Sequence, residues 1–234
     1  MRRFKRYTLQ EFEAFIKTVP VRRTIEHIQI HHTWRPRKVD YRGEPTIYGM
    51  WRHHTRVNGW QDIGQHFSIA PDGGIWDGRS LDINPAGIRG YNSGGLMIEI
   101  IGDFNTGQEN LQNSQLFSVA RVVVLCQDRF GLKNADVVFH REIDTSKTCP
   151  GTGLERFWFL NIVDRERKEM APKDEQMPLI QRRVEGYHNG TPVGHKAYLI
   201  NGTTYVPLRY FAENMGAQVR WDGERYHVDE AQIW

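Results

Sequence analysis

Short apolar strands and longer helices alternate along the first 140 residues of the chain. Residues 26–32 (E-H-I-Q-I-H-H) alternate polar and apolar side chains, which is the period of a β-strand with one buried face. Residues 96–101 (L-M-I-E-I-I) are apolar except for Glu99 and predict a buried strand. Residues 116–130 form a strongly apolar predicted helix that ends before Gly131. This interleaving predicts an α/β fold in which helices flank a mixed central sheet.

The other predicted elements of this region are shorter. Thr8 and Glu11 form a capping-box pair at the start of a predicted helix over residues 8–19. The remaining segments are a helix over 46–57, a hairpin over 66–76 that turns at Pro71-Asp72-Gly73-Gly74, and a strand over 137–139 that leads into His140.

A second, smaller unit is predicted at the C-terminus. Residues 170–180 contain two prolines and little periodicity, so they are predicted to link a domain over 1–169 to one over 181–234. The second domain is expected to be α+β. Its predicted elements are hairpins about Asn201-Gly202 and Asp222-Gly223 and a short helix that ends at Gly216.

Composition narrows the class of protein. A hydrophobic content of 39% with 25% charged residues is that of a soluble globular protein. A net charge of +3 fits a polyanionic surface as partner, but a surplus this small more often serves only solubility. The basic N-terminus is followed by no apolar stretch of the kind found in signal peptides, and no run reaches the roughly 20 apolar residues of a membrane span. We therefore expect synthesis in the cytoplasm and no membrane insertion.

The two cysteines have different surroundings. Cys126 lies in the apolar run V-V-V-L-C and is expected in the core, whereas Cys149 lies in a loop.

His140 precedes Cys149 by nine residues. Imidazole and thiolate are zinc ligands, and a catalytic zinc site uses three protein ligands. His31, on the polar face of the 26–32 strand, is the best placed third ligand, while strand alternation puts His32 on the opposite face. Taken alone, a His/Cys pair is structural more often than catalytic.

Four ordered phrases extend this motif. They are I-Q-I-H-H-T-W, G-W-Q-D-I-G-Q-H-F-S-I-A-P-D-G-G-I-W-D-G-R, G-Y-N-S-G-G-L-M-I-E-I-I-G-D-F and H-R-E-I-D-T-S-K-T-C-P-G. In order and spacing, residues 23–160 resemble the type 2 N-acetylmuramoyl-L-alanine amidases, which include phage lysozyme-type amidases and share the fold of peptidoglycan recognition proteins. The resemblance implies Zn²⁺ as cofactor and peptidoglycan as partner.

The resemblance also implies roles for single residues. The zinc ligands fall on His31, His140 and Cys149, and the family's lysine falls on Lys147. In the branch with a glutamate in the central strand, that glutamate falls on Glu99.

One position departs from the family pattern. Some members use a tyrosine at the active site where this chain has Gln65, so the role of base is expected to shift to Glu99, with Gln65 positioning substrate. Non-catalytic recognition proteins lack the cysteine-type ligand, so Cys149 favours an enzyme.

The implied reaction is hydrolysis of the amide between N-acetylmuramic acid and L-alanine. Glu99, between two isoleucines, is expected to have a raised pKa and to act as the base, the alternative being an ion pair with an arginine. Lys147 is expected to stabilise the oxyanion. Five further residues lie in the matching phrases or near them and are predicted to bind substrate: Asn92, Arg79, Gln65, His54 and Trp34. Trp60 is a weaker candidate for stacking on sugar.

The residues about 181–234 resemble the small domain at the N-terminus of copper amine oxidases, without a recognisable set of copper ligands. A targeting or spacing role at the cell wall is expected, with a structural cap as the alternative.

The whole chain is therefore interpreted as a phage or prophage endolysin that acts on the wall after release. The alternatives are a cytosolic muropeptide-recycling amidase and a non-catalytic peptidoglycan-binding protein. A metal nuclease is disfavoured because the sequence has no basic stripe or phosphate-binding motif, so no nucleic acid partner is expected. No sequence feature indicates an oligomeric state.

Overall fold

The structure, a computed structural model, describes residues 2–171 in full. In the C-terminal part it describes the backbone of five strands, over residues 180–188, 191–200, 203–205, 218–221 and 226–229. The contacts divide the chain into two compact units, Met1–Met170 and Ala171–Trp234. The predicted linker over 170–180 lies largely outside the described residues, and the domain boundaries stay predictions.

The first unit contains six strands and five α-helices in the order expected for an α/β fold. The strands are β1 (Arg6–Tyr7), β2 (His27–His32), β3 (Phe67–Ile69), β4 (Ile75–Asp77), β5 (Gly95–Ile100) and β6 (Val137–Phe139). The helices are α1 (Leu9–Thr18), α2 (Glu44–Arg52), α3 (Asn113–Phe130), α4 (His140–Ile143) and α5 (Arg156–Met170). Thr8 and Glu11 form the predicted capping box of α1, and Gly131 ends α3 in the left-handed conformation at φ 70°.

The strands form one mixed sheet in the order β1-β4-β3-β5-β2-β6. Strands β3, β5, β2 and β6 run parallel to one another. At the β3 edge, β4 pairs antiparallel with β3, and β1 pairs antiparallel with β4. The predicted mixed sheet is confirmed. Because the central strands are parallel, the carboxyl ends of β2, β5 and β6 meet at one edge of the sheet, where ligand sites of such sheets lie.

One face of the sheet carries the main hydrophobic core. Ile28 and Ile30 of β2 are fully buried and pack in one cluster with Phe12 of α1, Val123 of α3 and Phe159 of α5. Fully burying one such side chain contributes about 1.5–3 kcal/mol. A one-residue slip of β2 would move Ile28 and Ile30 to the opposite face, which carries the buried polar side chains Gln29 and His31. The core therefore sets the register of the strand and which side chains reach the other face.

Several elements differ from the sequence prediction. The helix predicted over 46–57 is regular only to Arg52, and residues His53–Val57 continue as a π-helical turn. Helix α5 was not predicted, because its many charged residues obscure the apolar positions that pack against α3. On the side of α5 that faces α3, Glu166 is buried and forms an ion pair with Arg121 at 3.2 Å. Among the described residues, no helix combines the length and hydropathy needed to cross a membrane.

The described strands of the second unit form two antiparallel sheets. Strands β7 (Ile180–His188), β8 (Thr191–Ile200) and β9 (Thr203–Tyr205) form one, and β10 (Gln218–Trp221) and β11 (Tyr226–Asp229) form the other. The strands on either side of Asn201-Gly202 and of Asp222-Gly223 pair as the predicted hairpins require. The turn residues and the predicted helix that ends at Gly216 lie outside the described residues.

Candidate metal centre

Three neighbouring parallel strands bring the candidate site together. His31 leaves β2 on the polar face, beside Gln29, and is the register partner of Glu99 on β5. On the other side of β2, Ile30 pairs with Phe139, the last residue of β6. His140 follows as the first residue of α4. The sheet register thus places both histidines and Glu99 at one edge.

His31, His140 and Cys149 form a compact group. One potential ligand atom from each lies within 4.8 Å of the others. The two imidazole rings have centroids 4.7 Å apart, and Cys149 Sγ lies 3.4 Å from His31 Nδ1. Two imidazoles and one thiol are the donor set of a three-ligand zinc site.

The protonation of these groups fits a metal ligand set. Burial lowers the pKa of His31 well below its usual value, and His140 and His32 lower it further. Burial also lowers the pKa of His140, so both imidazoles are neutral near pH 7. Burial and the nearby Glu99 raise the pKa of the Cys149 thiol. Binding of a metal cation would convert this thiol to the thiolate, because a thiol that coordinates a metal loses its proton.

The loop that carries Cys149 is held by a residue that the sequence analysis missed. Arg141 donates its backbone N–H to the Cys149 carbonyl (2.8 Å) and its guanidinium to the carbonyls of Gly151 (2.7 Å) and Leu154 (2.6 Å). Gly151 has φ 117°, and a Cβ atom there would collide with the Phe104 carbonyl group. Only glycine permits this close approach.

His32 lies on the opposite face, as predicted. Its Nδ1 accepts a hydrogen bond from the Phe104 backbone N–H at 3.1 Å, and its own backbone N–H donates to Cys149 Sγ at 3.4 Å. Burial lowers the pKa of His32 to about 4. His32 therefore supports the cysteine loop from behind the sheet.

Glu99 is half-buried at the carboxyl end of β5. Burial raises the pKa of this carboxyl to about 7. No cation among residues 2–171 lies within ion-pair distance of Glu99, so the alternative of an ion pair with an arginine is not what the structure shows. A carboxyl with such a pKa can accept and return a proton near neutral pH.

A cavity of about 530 Å³ adjoins Glu99. Arg35, Arg42, His53 and His54 are among its lining residues. The Arg35 guanidinium has no hydrogen-bond or ion-pair partner among residues 2–171 and lies 5.9 Å from the ring centroid of the preceding residue, Trp34. Trp34 has φ 54° and is 58% exposed. A bulky residue in this conformation is strained, and such strain tends to occur at ligand sites.

The predicted substrate-binding residues have varied surroundings. His54 lines the cavity, accepts a hydrogen bond at Nδ1 from the Gly64 backbone N–H (3.1 Å) and contacts Trp60. Gln65 is fully buried and donates to Ser68 Oγ at 2.9 Å. Ser68 is the register partner of Glu99 on β3, so this pair adjoins the carboxylate.

Arg79 and Asn92 bind backbone atoms of neighbouring loops. The Arg79 guanidinium donates to three carbonyls, those of Ile63, Asn84 and Asp62. Asn92 Oδ1 accepts hydrogen bonds from the backbone N–H groups of Gly87 and Ile88. Both side chains hold loops in place, and their roles in substrate binding stay predictions.

The chain matches two known family models. Residues 21–152 match the model described as N-acetylmuramoyl-L-alanine amidase. Residues 174–229 match the copper amine oxidase N-terminal domain.

The sequence relatives include enzymes from animals and phages. N-acetylmuramoyl-L-alanine amidase of Homo sapiens is 30% identical over 132 residues, which are 54% of this chain and 22% of that protein. An endolysin of Klebsiella phage KP32 is 26% identical over 126 residues, which are 53% of this chain and 77% of the endolysin. The match to Mus musculus N-acetylmuramoyl-L-alanine amidase likewise takes in only 26% of that protein.

Solved structures share the fold. A mutant of Drosophila PGRP-LB in complex with tracheal cytotoxin is 26% identical, with a TM-score of 0.52 over 62% of this chain and 85% of that one. The Ph2119 endolysin, from a bacteriophage of Thermus scotoductus, is 22% identical, with a TM-score of 0.51 over 63% of this chain and 90% of that one. Because the family match takes in more than half of the chain, the protein belongs to the N-acetylmuramoyl-L-alanine amidase family.

Proposed function

We propose that the protein is a zinc-dependent amidase that hydrolyses the bond between the lactyl group of N-acetylmuramic acid and L-alanine in peptidoglycan. The observation that carries the proposal is a group of three potential ligands within 4.8 Å beside a carboxyl whose pKa is about 7. Membership of the amidase family and the complex of a related recognition protein with tracheal cytotoxin support the substrate class.

His31, His140 and Cys149 would hold the zinc ion. Bound zinc supplies Lewis acidity, which polarises the scissile carbonyl and lowers the pKa of water. The register of β2 with β5 holds Glu99 beside His31 without the help of a mobile loop.

Glu99 acts as general base and then as general acid. Its carboxylate takes a proton from the attacking water, and the resulting carboxylic acid returns the proton to the leaving amine nitrogen. A pKa of about 7 suits both steps, because the group is readily protonated and deprotonated at neutral pH.

Lys147 stabilises the oxyanion that develops on the scissile carbonyl. Its side chain is exposed, and its charge is close enough to His140 to contribute to lowering that residue's pKa, after the larger effect of burial. One well-placed donor of this kind contributes about 2.7–4 kcal/mol to catalysis.

The cavity beside Glu99 receives the substrate. Trp34 offers an exposed aromatic face to sugar or peptide. Arg35 offers a cation to a carboxylate of the stem peptide. His54, whose pKa is lowered to about 4 mainly by burial, is a neutral imidazole in the cavity wall.

The biological role proposed is that of a phage endolysin, made in the cytoplasm and active on the cell wall after release. The match to 77% of the length of the KP32 endolysin favours this role over muropeptide recycling.

The C-terminal unit is proposed to bind or orient the cell wall. Its removal should leave cleavage of soluble muropeptides intact and weaken pelleting with intact walls, whereas unchanged pelleting would indicate a structural cap.

Mass spectrometry of digested peptidoglycan tests the proposed activity. Digestion should release peptides with a free L-alanine amine and create no new reducing sugar ends. A chelator should abolish the reaction and added zinc should restore it. New reducing ends would indicate glycan cleavage. A protein that pellets with cell walls but releases no product would be a binding protein.

A further inference from the structure

Two polar atoms on the polar face of β2 are buried without a hydrogen-bond partner among the described residues. They are Gln29 Oε1 and His31 Nε2. Gln29 is fully buried and His31 is 3% exposed. An unsatisfied buried polar atom costs about 1–3 kcal/mol, so two of them in adjacent positions of one strand face require an explanation.

The orientation of the Gln29 amide is set by its other hydrogen bonds. Its Nε2 donates to the Tyr91 carbonyl at 2.7 Å and lies 3.1 Å from His27 Nε2. A carbonyl oxygen only accepts, so the amide must present its nitrogen to Tyr91. Oε1 is thereby directed away from the Tyr91 carbonyl, to the side of Gly87.

Gly87 leaves open a small space that both unpaired atoms border. Gln29 Oε1 lies 2.7 Å, and His31 Nε2 lies 3.0 Å, from the position that a Cβ atom on residue 87 would occupy. Any side chain at this position would fill the space that both atoms border. The two atoms are thus close enough to meet after a small rotation or through one water.

The two nitrogens of His31 have different surroundings. Nδ1 lies 3.4 Å from Cys149 Sγ and faces the candidate metal centre. A neutral imidazole has one N–H donor and one acceptor nitrogen. If Nδ1 offers its lone pair to the metal centre, the proton is on Nε2, which then needs an acceptor.

We infer that Gln29 is a positioning residue for the metal centre. Its Oε1 accepts the Nε2 proton of His31, directly or through one water, and holds the ring so that Nδ1 faces the metal. Partners of this kind change metal affinity by about 10–100-fold. The effect on zinc rests on the proposed function, but the hydrogen bond itself does not.

The hydrogen bond is tested first in the metal-free full-length protein. Nitrogen-15 chemical shifts and two-bond proton–nitrogen correlations of the histidine rings report which nitrogen carries the proton. We expect His31 to be the Nε2–H tautomer. A predominant Nδ1–H tautomer would overturn the inference without the need for any variant.

Two variants then separate the acceptor of Gln29 from its donor. Gln29→Glu keeps an acceptor toward His31 and loses the donor to Tyr91, whereas Gln29→Met keeps the length and loses both. Competition with a chromophoric chelator should show zinc binding weakened about 10–100-fold in Gln29→Met and close to wild type in Gln29→Glu. Equal weakening in both variants, or unchanged binding in Gln29→Met, would contradict a role for Oε1.

The two proposals fail in different ways. A wild-type protein that binds no zinc would refute the proposed function, while the tautomer of His31 would still decide whether Gln29 accepts its proton.

Discussion

His31 and Glu99 are register partners on the neighbouring parallel strands β2 and β5. Side chains at paired positions leave a sheet on the same face, so backbone hydrogen bonds hold the candidate ligand beside the candidate base. Cys149 is different, because it lies in a loop tied down by Arg141. The site therefore combines strand-borne residues with one loop residue, and substitutions in the two parts should act differently.

Replacement of Glu99 by glutamine should separate catalysis from metal binding. Glu99→Gln keeps the shape of the side chain and removes the proton acceptor, so kcat should fall by about 100-fold or more while the zinc content stays unchanged. Zinc content and initial rate are measured on the same preparations, with the exposed Glu155→Gln as control. A Glu99 variant that keeps zinc and a near wild-type rate would show that another residue is the base.

The two cysteines provide a matched pair for the metal site. Cys149→Ala should lose zinc and, as a consequence, activity. Cys126→Ala should keep both, because that thiol is fully buried in the core cluster and its removal creates only a small cavity. Metal analysis after gel filtration gives the result. Retention of stoichiometric zinc by Cys149→Ala would remove this residue from the ligand set.

Gly151 should be required for the geometry of the cysteine loop. Gly151→Ala adds a Cβ atom that collides with Phe104 at φ 117°, so the loop must shift, lowering both the free energy of unfolding and the affinity for zinc. Gly107→Ala is the control, since its φ is also positive at 80° but the space around it is open. In the control, the free energy of unfolding should fall only by the roughly 1–2 kcal/mol that a non-glycine residue costs in the left-handed conformation. Its zinc affinity should stay unchanged. Equal effects on zinc affinity would show that the contact with Phe104 is not needed.

The stability of the metal-free protein should depend on His66 below pH 6.5. His66 is fully buried, accepts a hydrogen bond at Nδ1 from the Met97 backbone N–H, and has its pKa lowered to about 3 by burial. Between that value and about 6.5, the unfolded state binds a proton that the folded state does not. The free energy of unfolding should therefore decrease as pH falls, by up to about 1.4 kcal/mol per pH unit from this residue.

His66→Gln measures that contribution. Denaturant titrations between pH 5 and pH 8 should give a shallower pH dependence in the variant than in the wild type. Glu99 has the opposite effect on the pH dependence, because its raised pKa makes the folded state bind an extra proton between about pH 4.5 and about pH 7. Glu99 is present in both the variant and the wild type, so its effect cancels in the comparison. Parallel curves would show that folding does not lower the pKa of His66.

Arg35 should affect substrate binding more than the chemical step. Arg35→Gln removes a cation from the cavity wall and with it a hydrogen bond to a carboxylate of the substrate. Loss of such a hydrogen bond costs about 1.5–3 kcal/mol of binding free energy. KM should therefore rise roughly tenfold or more, with little change in kcat. Steady-state kinetics on a soluble muropeptide are compared with those of Arg56→Gln, an exposed arginine of the π-helical turn. A variant with unchanged KM would exclude Arg35 from substrate binding.

Local patterns in the sequence predicted much of the fold. The alternation of residues 26–32 indicated both the strand and the face on which His31 lies, and the single polar position in residues 96–101 marked Glu99. The spacing of His140 and Cys149 indicated a metal site. The two strands and the face of His31 are confirmed, because strand periodicity is a property of short segments, while the metal site stays a prediction.

Other features depended on contacts between distant segments. His31 meets Cys149 across 118 positions of the chain, and Gln29 meets the Tyr91 carbonyl across 62. Nothing in the residues around Arg79 or Asn92 shows that their side chains hold loops, since the groups they bind are backbone carbonyls and N–H groups without a sequence signature. The sequence by itself determined which groups are available for chemistry and which strand face they occupy. Only the tertiary structure decided which buried donor meets which acceptor, because that depends on the packing of the whole sheet and its loops.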